Sequence, residues 1–122
     1  MHEVVISIGS NIEPHGNIKK ALWVLKDFIQ IEKVSGMITT KPIGITDQPD
    51  FVNGALKCFT FQSREELIQQ LKAIEDLLGR DRSRPKFGPR EIDLDIVAWN
   101  GEIVDADYFS RDFLKTVVDQ VI

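Results

Sequence analysis

Apolar residues recur in this chain with two different periods, and the order in which the periods alternate limits the fold more than any other feature. Runs with strand character occupy Glu3–Ile8, Ile31–Thr40, Phe51–Phe61 and Ile92–Trp99. Between the first two, Pro14 and Asn17 mark a helix entry. Ile18, Ala21, Leu22, Leu25 and Phe28 then recur at helical spacing, with Lys19, Lys20 and Lys26 off that stripe. Between the third and fourth runs, Ser63-Arg64-Glu65-Glu66 reads as a capping box, in which Ser63 and Glu66 satisfy each other's backbone donors. The helix it opens carries Leu67, Leu71, Ile74 and Leu78 on one face, and Gly79 ends it. Two prolines and a glycine keep Lys41–Asp50 out of any ladder.

The resulting order is strand, helix, strand, strand, helix, strand. It predicts an α+β, ferredoxin-like βαββαβ arrangement, with a four-stranded, mostly antiparallel sheet and helices on one face. Asn100-Gly101 predicts a tight turn and a short return strand at Ile103-Val104. Apolar residues at 113, 114, 117, 118, 121 and 122 predict a short C-terminal helix with one apolar stripe. Such a stripe must dock on its own domain or on a second copy, and a homodimer is the expectation. No linker or repeat interrupts residues 1–122, which are expected to form a single domain.

A hydrophobic content of 43% with 28% charged residues belongs to a globular chain. The net charge of −4 disfavours a nucleic-acid partner, because a phosphate backbone needs a basic face. Cys58 is the only cysteine, so no internal disulfide forms, and its apolar surroundings predict an inert, buried thiol. The N-terminal residues lack a basic segment followed by a long apolar run, and no stretch is apolar enough to span a bilayer. A cytoplasmic protein with no membrane partner is the expectation.

Chemistry concentrates in Phe87-Gly88-Pro89-Arg90-Glu91-Ile92-Asp93-Leu94-Asp95-Ile96. Asp93 and Asp95 lie two apart on a strand, so they share a face, with Cα atoms roughly 6.5 Å apart. Two carboxylates that close repel unless a cation sits between them, and hard oxygen ligands suit magnesium carrying nucleotide phosphates. Taken alone, the alternation also fits the exposed polar face of a half-buried strand. The preceding loop shifts that balance. Arg80, Arg82, Arg84, Lys86 and Arg90 crowd into residues 80–90, and the arginine fork matches phosphate oxygens. No Walker-type loop or kinase glycine-rich loop is present.

The stretch Gly88–Ile96 resembles the signature of the 6-hydroxymethyl-7,8-dihydropterin pyrophosphokinases. Ile6–Asn11 resembles that family's first strand and exit, Asp47–Ala55 its pterin-side loop and strand, and Ile74–Arg80 the helix leading to its catalytic loop. The four motifs keep their order across residues 4–104. The resemblance implies transfer of pyrophosphate from ATP to the hydroxymethyl group of a reduced pterin, releasing AMP. It implies that Asp93 and Asp95 bind two Mg2+ ions with ATP. Arg80 and Arg90 would stabilise charge on the phosphates, with Arg82 on the nucleotide side and Glu75, at the flank of its helix's apolar stripe, facing the same side. Phe51 would pack on the pterin and Asn53 would hydrogen-bond it. Phe87 would occupy the loop's aromatic position, and backbone near Pro42 and Gly44 would line the same pocket.

The resemblance is incomplete past the fourth strand. The family continues there with a His-Pro element, an arginine and a second aromatic. This chain has Ser110-Arg111-Asp112-Phe113-Leu114-Lys115, with no His-Pro, which leaves Phe113 or Arg111 to substitute. Lys72 stands where a glutamine is common. Three readings therefore stay open: an active pyrophosphokinase, a catalytically impaired relative that binds a pterin or nucleotide, and a ferredoxin-like interaction domain.

Overall fold

The first strand, β1 (His2–Ser10), is central and covered on both faces. Val4, Ile6 and Ile8 point one way and Val5 the other, and all four are buried. That explains why the run is continuously β-branched rather than alternating with polar residues. The structure is a computed structural model and describes residues 1–122. After β1 come α1 (Pro14–Leu25), β2 (Gln30–Val34), β3 (Ile38–Thr40), β4 (Phe51–Thr60), α2 (Arg64–Leu77) and β5 (Asp93–Trp99). The chain finishes with β6 (Glu102–Ile103), α3 (Asp107–Ser110) and α4 (Asp112–Asp119). The sheet order is β2-β4-β1-β5-β6, and β3 also pairs with β4. Every pairing is antiparallel. This is the ferredoxin-like arrangement, enlarged beyond four strands.

The enlargement has local causes. The expected single strand Ile31–Thr40 is two strands. At its middle the Ser35 hydroxyl, not a backbone carbonyl, accepts from Ala55 N–H at 2.8 Å. Gly36 N–H turns away to Gln120 Oε1, also at 2.8 Å. At the far edge Asn100 (φ 50°) and Gly101 (φ 84°) form the expected two-residue turn. The return strand starts one residue earlier than expected, with Glu102 opposite Trp99.

The two long helices share one face of the sheet, as expected, and the C-terminal helix covers part of the other. α1 and α2 cover the Val4–Ile6–Ile8 face through Ile18, Ala21, Leu25, Leu67, Leu71 and Ile74. The capping box at Ser63 and Glu66 is formed, and Gly79 (φ +90°) follows the end of α2. Phe28 is not part of the α1 stripe. The helix ends at Leu25, Phe28 is exposed, and Ile29 takes the buried place through its N–H bond to Leu25 O at 3.0 Å. On the opposite face, α4 buries Leu114, Val117 and Val118, together with Val121, against Val5, Ala55, Val97 and Ala98. All of the C-terminal stripe except the exposed Ile122 is thus packed within the chain. The apolar face on which the homodimer expectation rests is not available to a second copy.

Candidate functional site

The α4 face of the sheet is only half covered, and the remainder is the floor of the site. Register sets Asp93 opposite Gly9 and Asp95 opposite Ser7, while Gly9 also faces Asn53 on β4. Cross-strand partners share a face, so both aspartates and Asn53 rise from the same floor. Ile92 and Leu94 turn into the opposite core, as expected. A Cβ at position 9 would lie 2.8 Å from Asn53 Oδ1, so glycine is what lets the Asn53 amide sit against β1.

The loop from residue 80 to 90 brings its cations to this floor. Arg80 lies 3.2 Å from Asp93 Oδ1, and Arg90 lies 2.8 Å from Asp93 Oδ2. Arg84 pairs with Glu91 at 2.6 Å, and Arg82 with Asp76 at 3.0 Å. Glu75 is the organiser. It is only 3% exposed, against the expectation of a residue at the flank of its helix. One of its oxygens lies 2.9 Å from Arg82 and 3.4 Å from Arg80, and the other accepts from Leu94 N–H at 2.7 Å. Burial raises the Glu75 carboxyl above its usual range, the Leu94 amide and Arg82 pull it back, and Asp93 adds to the rise. Leu94 separates the two aspartates, so a single buried carboxylate anchors both the strand that carries them and two arginines of the loop.

Asp95 has no cation partner. Burial at the cleft floor pushes its carboxyl up to about 7, helped by the negative charge of Asp93, Glu75 and Asp105 and opposed by Arg90. Its side chain remains open to water. Desolvation is therefore partial, and the three neighbouring carboxylates supply the rest of the rise. No group of three metal-ligating side chains exists in the chain. The pair Asp93–Asp95 fits a hard divalent cation whose other ligands are water and phosphate oxygens, and does not fit a metal caged by protein alone.

Two clefts meet at this pair. The first, of about 250 Å³, is lined by Phe51, Asn53, Phe87 and Phe113, with Lys41, Ile43, Lys86 and Arg111 at its margins. The second, of about 520 Å³, is lined by Arg64, Lys72, Glu75, Arg80 and Arg82. Arg90, Asp93, Asp95 and Asp105 border both. Of the residues singled out in the sequence, Pro42 and Gly44 do not line either cleft; their neighbours Lys41 and Ile43 do. Gly44 (φ +80°) instead supports the Phe87 ring, whose atoms lie 2.9 Å from where a Cβ would stand. Arg111 and Phe113 reach the first cleft because α4 packs back across β4 and β1. Arg64 and Asp105 carry no local signal, since only the packing of α2 and the turn after β6 brings them in.

Comparison with known proteins agrees with this geometry. The family model described as 7,8-dihydro-6-hydroxymethylpterin-pyrophosphokinase matches residues 5–121. A folate synthesis bifunctional protein of Arabidopsis thaliana is 38% identical over 107 residues, covering 86% of this chain and 22% of that protein. The 2-amino-4-hydroxy-6-hydroxymethyldihydropteridine pyrophosphokinase of Aquifex aeolicus is 37% identical over 105 residues, covering 85% of this chain and 65% of the relative. The protein of the same name from Bacillus subtilis is 34% identical over 105 residues, 84% and 62% respectively. The chain thus spans less than two thirds of the length of these relatives.

Proposed function

The chain belongs to the 7,8-dihydro-6-hydroxymethylpterin-pyrophosphokinase family, and from that premise we propose that it transfers pyrophosphate from ATP to the hydroxymethyl group of 6-hydroxymethyl-7,8-dihydropterin. The observation that carries this reading is the meeting of an aromatic cleft and a basic cleft at one pair of aspartates. A flat heterocycle suits the first cleft, where Phe51, Phe87 and Phe113 offer apolar surface. Asn53 donates to Thr40 Oγ1 at 2.6 Å. No hydrogen bond within the protein engages its Oδ1, which is left to accept from a ring N–H. A triphosphate suits the second cleft, where Arg64, Lys72, Arg80 and Arg82 supply positive charge.

In the reaction the hydroxymethyl oxygen attacks the β-phosphorus and loses its proton. The bond from that phosphorus to the oxygen bridging the α-phosphate breaks, and AMP leaves. Arg90, on the border between the clefts, and Arg80, in the basic one, offset charge on the group in transit. Each must exchange its contact with Asp93 for one with phosphate. Asp93 and Asp95 would hold Mg2+, two ions with ATP, which would neutralise and align the phosphate oxygens. Glu75 keeps the aspartate strand and the arginines in register. Arg111 takes the place of the family's C-terminal arginine and Phe113 that of its second aromatic.

Incubation of the purified chain with ATP, Mg2+ and 6-hydroxymethyl-7,8-dihydropterin tests the proposal. AMP and a pyrophosphorylated pterin are expected in equal amounts. Binding of both ligands without AMP would instead support a non-catalytic pterin- and nucleotide-binding module.

A further inference from the structure

Three segments distant in sequence are tied together at one point beside the site. In residues 41–50, all but Pro42 and Gln48 are exposed. The loop's own backbone offers little to hold it. A single internal bond, Ile45 N–H to Ile43 O at 3.1 Å, closes within it. Gln48 supplies the rest. Its Nε2 donates to Ile45 O at 2.7 Å within its own loop and to Phe87 O at 2.6 Å in the basic loop. Its Oε1 accepts from Asn11 Nδ2 at 2.9 Å.

Asn11, 3% exposed at the exit of β1, completes the knot. Its Nδ2 also donates to Pro49 O at 2.9 Å, and its Oδ1 accepts from Arg90 N–H at 2.8 Å. Its own N–H donates to Arg90 O at 3.1 Å. Backbone partners on both sides of the Asn11 amide fix which end is oxygen, and that in turn fixes the Gln48 amide. A second contact runs parallel to the first, where the Phe87 ring lies against Gly44.

We propose that Gln48 is a positioning residue that couples the two clefts. The loop at residues 41–50 borders only the aromatic cleft, through Lys41 and Ile43, whereas the basic loop carries Arg80, Arg82 and Arg90 to the phosphate side. The Gln48–Phe87 bond is a direct side-chain link between them. Occupation of the aromatic cleft holds its loop down and, through Gln48, holds the Phe87–Arg90 segment where the arginines meet the phosphates. The reverse holds for a nucleotide, because coupling between sites is reciprocal. Gln48 touches neither the reacting atoms nor either cleft. The inference rests on the two-substrate reading above.

Calorimetric titration of a non-hydrolysable ATP analogue with Mg2+, and of the pterin, each alone and in the presence of the other, measures the coupling. The proteins compared are the wild type, Gln48→Met and Gln48→Glu. The glutamate keeps an acceptor for Asn11 but cannot donate to Ile45 O or Phe87 O. In the wild type each ligand is expected to tighten the other by about 5- to 100-fold. In both variants that factor is expected to fall about threefold or more, the Asn11 bonds and the Phe87–Gly44 contact carrying the remainder, with single-ligand affinities within about threefold of wild type. A parallel kinetic signature is a KM for each substrate that depends less on the other than in the wild type. If Gln48→Glu or Gln48→Met retains the wild-type coupling factor, the inference is overturned and the proposed function stands. It is overturned equally if the wild type binds both ligands with no coupling. If the wild type binds neither ligand, the proposed function fails and the inference with it.

Discussion

Asp93 and Asp95 share one face of one strand, yet they differ in what surrounds them. Asp93 is held by Arg80 and Arg90, whereas Asp95 has no ion-pair partner, and burial beside Asp93, Glu75 and Asp105 pushes its carboxyl up to about 7. An acid whose folded pKa is raised contributes stability that is fully present below the unfolded value. That contribution is lost as pH rises through the folded one. The free protein therefore carries an electrostatic penalty that grows between about pH 4 and pH 7 and is flat above. Exposure of the side chain to water weakens the penalty. Asp95→Asn is expected to raise the melting temperature by a few degrees at pH 8 and by less at pH 4.5. A gain that is equal at both values would contradict this origin. The same substitution removes a hard oxygen ligand, so Mg2+ should no longer tighten ATP binding in calorimetry. Cys58 shows the opposite use of burial. Its thiol is fully enclosed and pushed up to about 12. A thiol reagent at pH 8 should leave it untouched until denaturant is added.

At the scale of elements, α2 and α4 are held by different physics. α2 begins with a reciprocal cap, Ser63 Oγ accepting from Glu66 N–H at 3.2 Å and Glu66 Oε1 from Ser63 N–H at 2.9 Å. Ser63→Ala should lower unfolding free energy by about 1 kcal/mol in a denaturant titration. α4 has no side-chain cap and depends on burial of Val117 and Val118, both 0% exposed. Val117→Ala should cost about 2 kcal/mol. The two substitutions part company in binding. α4 brings Arg111 and Phe113 to the aromatic cleft and contributes nothing to the basic one. Val117→Ala should therefore weaken pterin binding more than nucleotide binding, and Ser63→Ala should weaken neither. Equal losses for both ligands would mean that α4 supports the whole sheet and not one wall.

For the whole molecule, the decisive fact is that both sheet faces are covered by the chain itself. α1 and α2 close one face, α4 closes half of the other, and the uncovered half is the site. The large exposed apolar residues include Trp23, Phe28, Phe61, Leu77, Phe109 and Ile122, which lie on different elements or the segments beside them. The chain is expected to run as a monomer of 13.9 kDa in light scattering over a range of concentrations. A concentration-dependent dimer would place an interface on a surface other than the α4 stripe. No helix is long and apolar enough to cross a membrane.

Features written in short-range pattern are legible in the sequence alone. The strand and helix order, the capping box at Ser63 and the Asn100-Gly101 turn each follow from neighbouring residues satisfying one another's backbone groups or sharing one apolar face. The same holds for the one-sided placement of Asp93 and Asp95, because alternation in a strand is a local property. Periodicity says that a face will be buried but not what will bury it. The C-terminal stripe is visible in the sequence, yet only the fold puts it on the sheet face opposite α1 and α2. Glu75 reads as a flank residue because its partners, Leu94 N–H and the two arginines, arrive from other segments. The Asn11–Arg90 bonds join positions 79 apart in sequence, and the knot they form with Gln48 exists only once three loops converge. Buried polar groups must find partners, and the chain's path through space decides which partners are within reach.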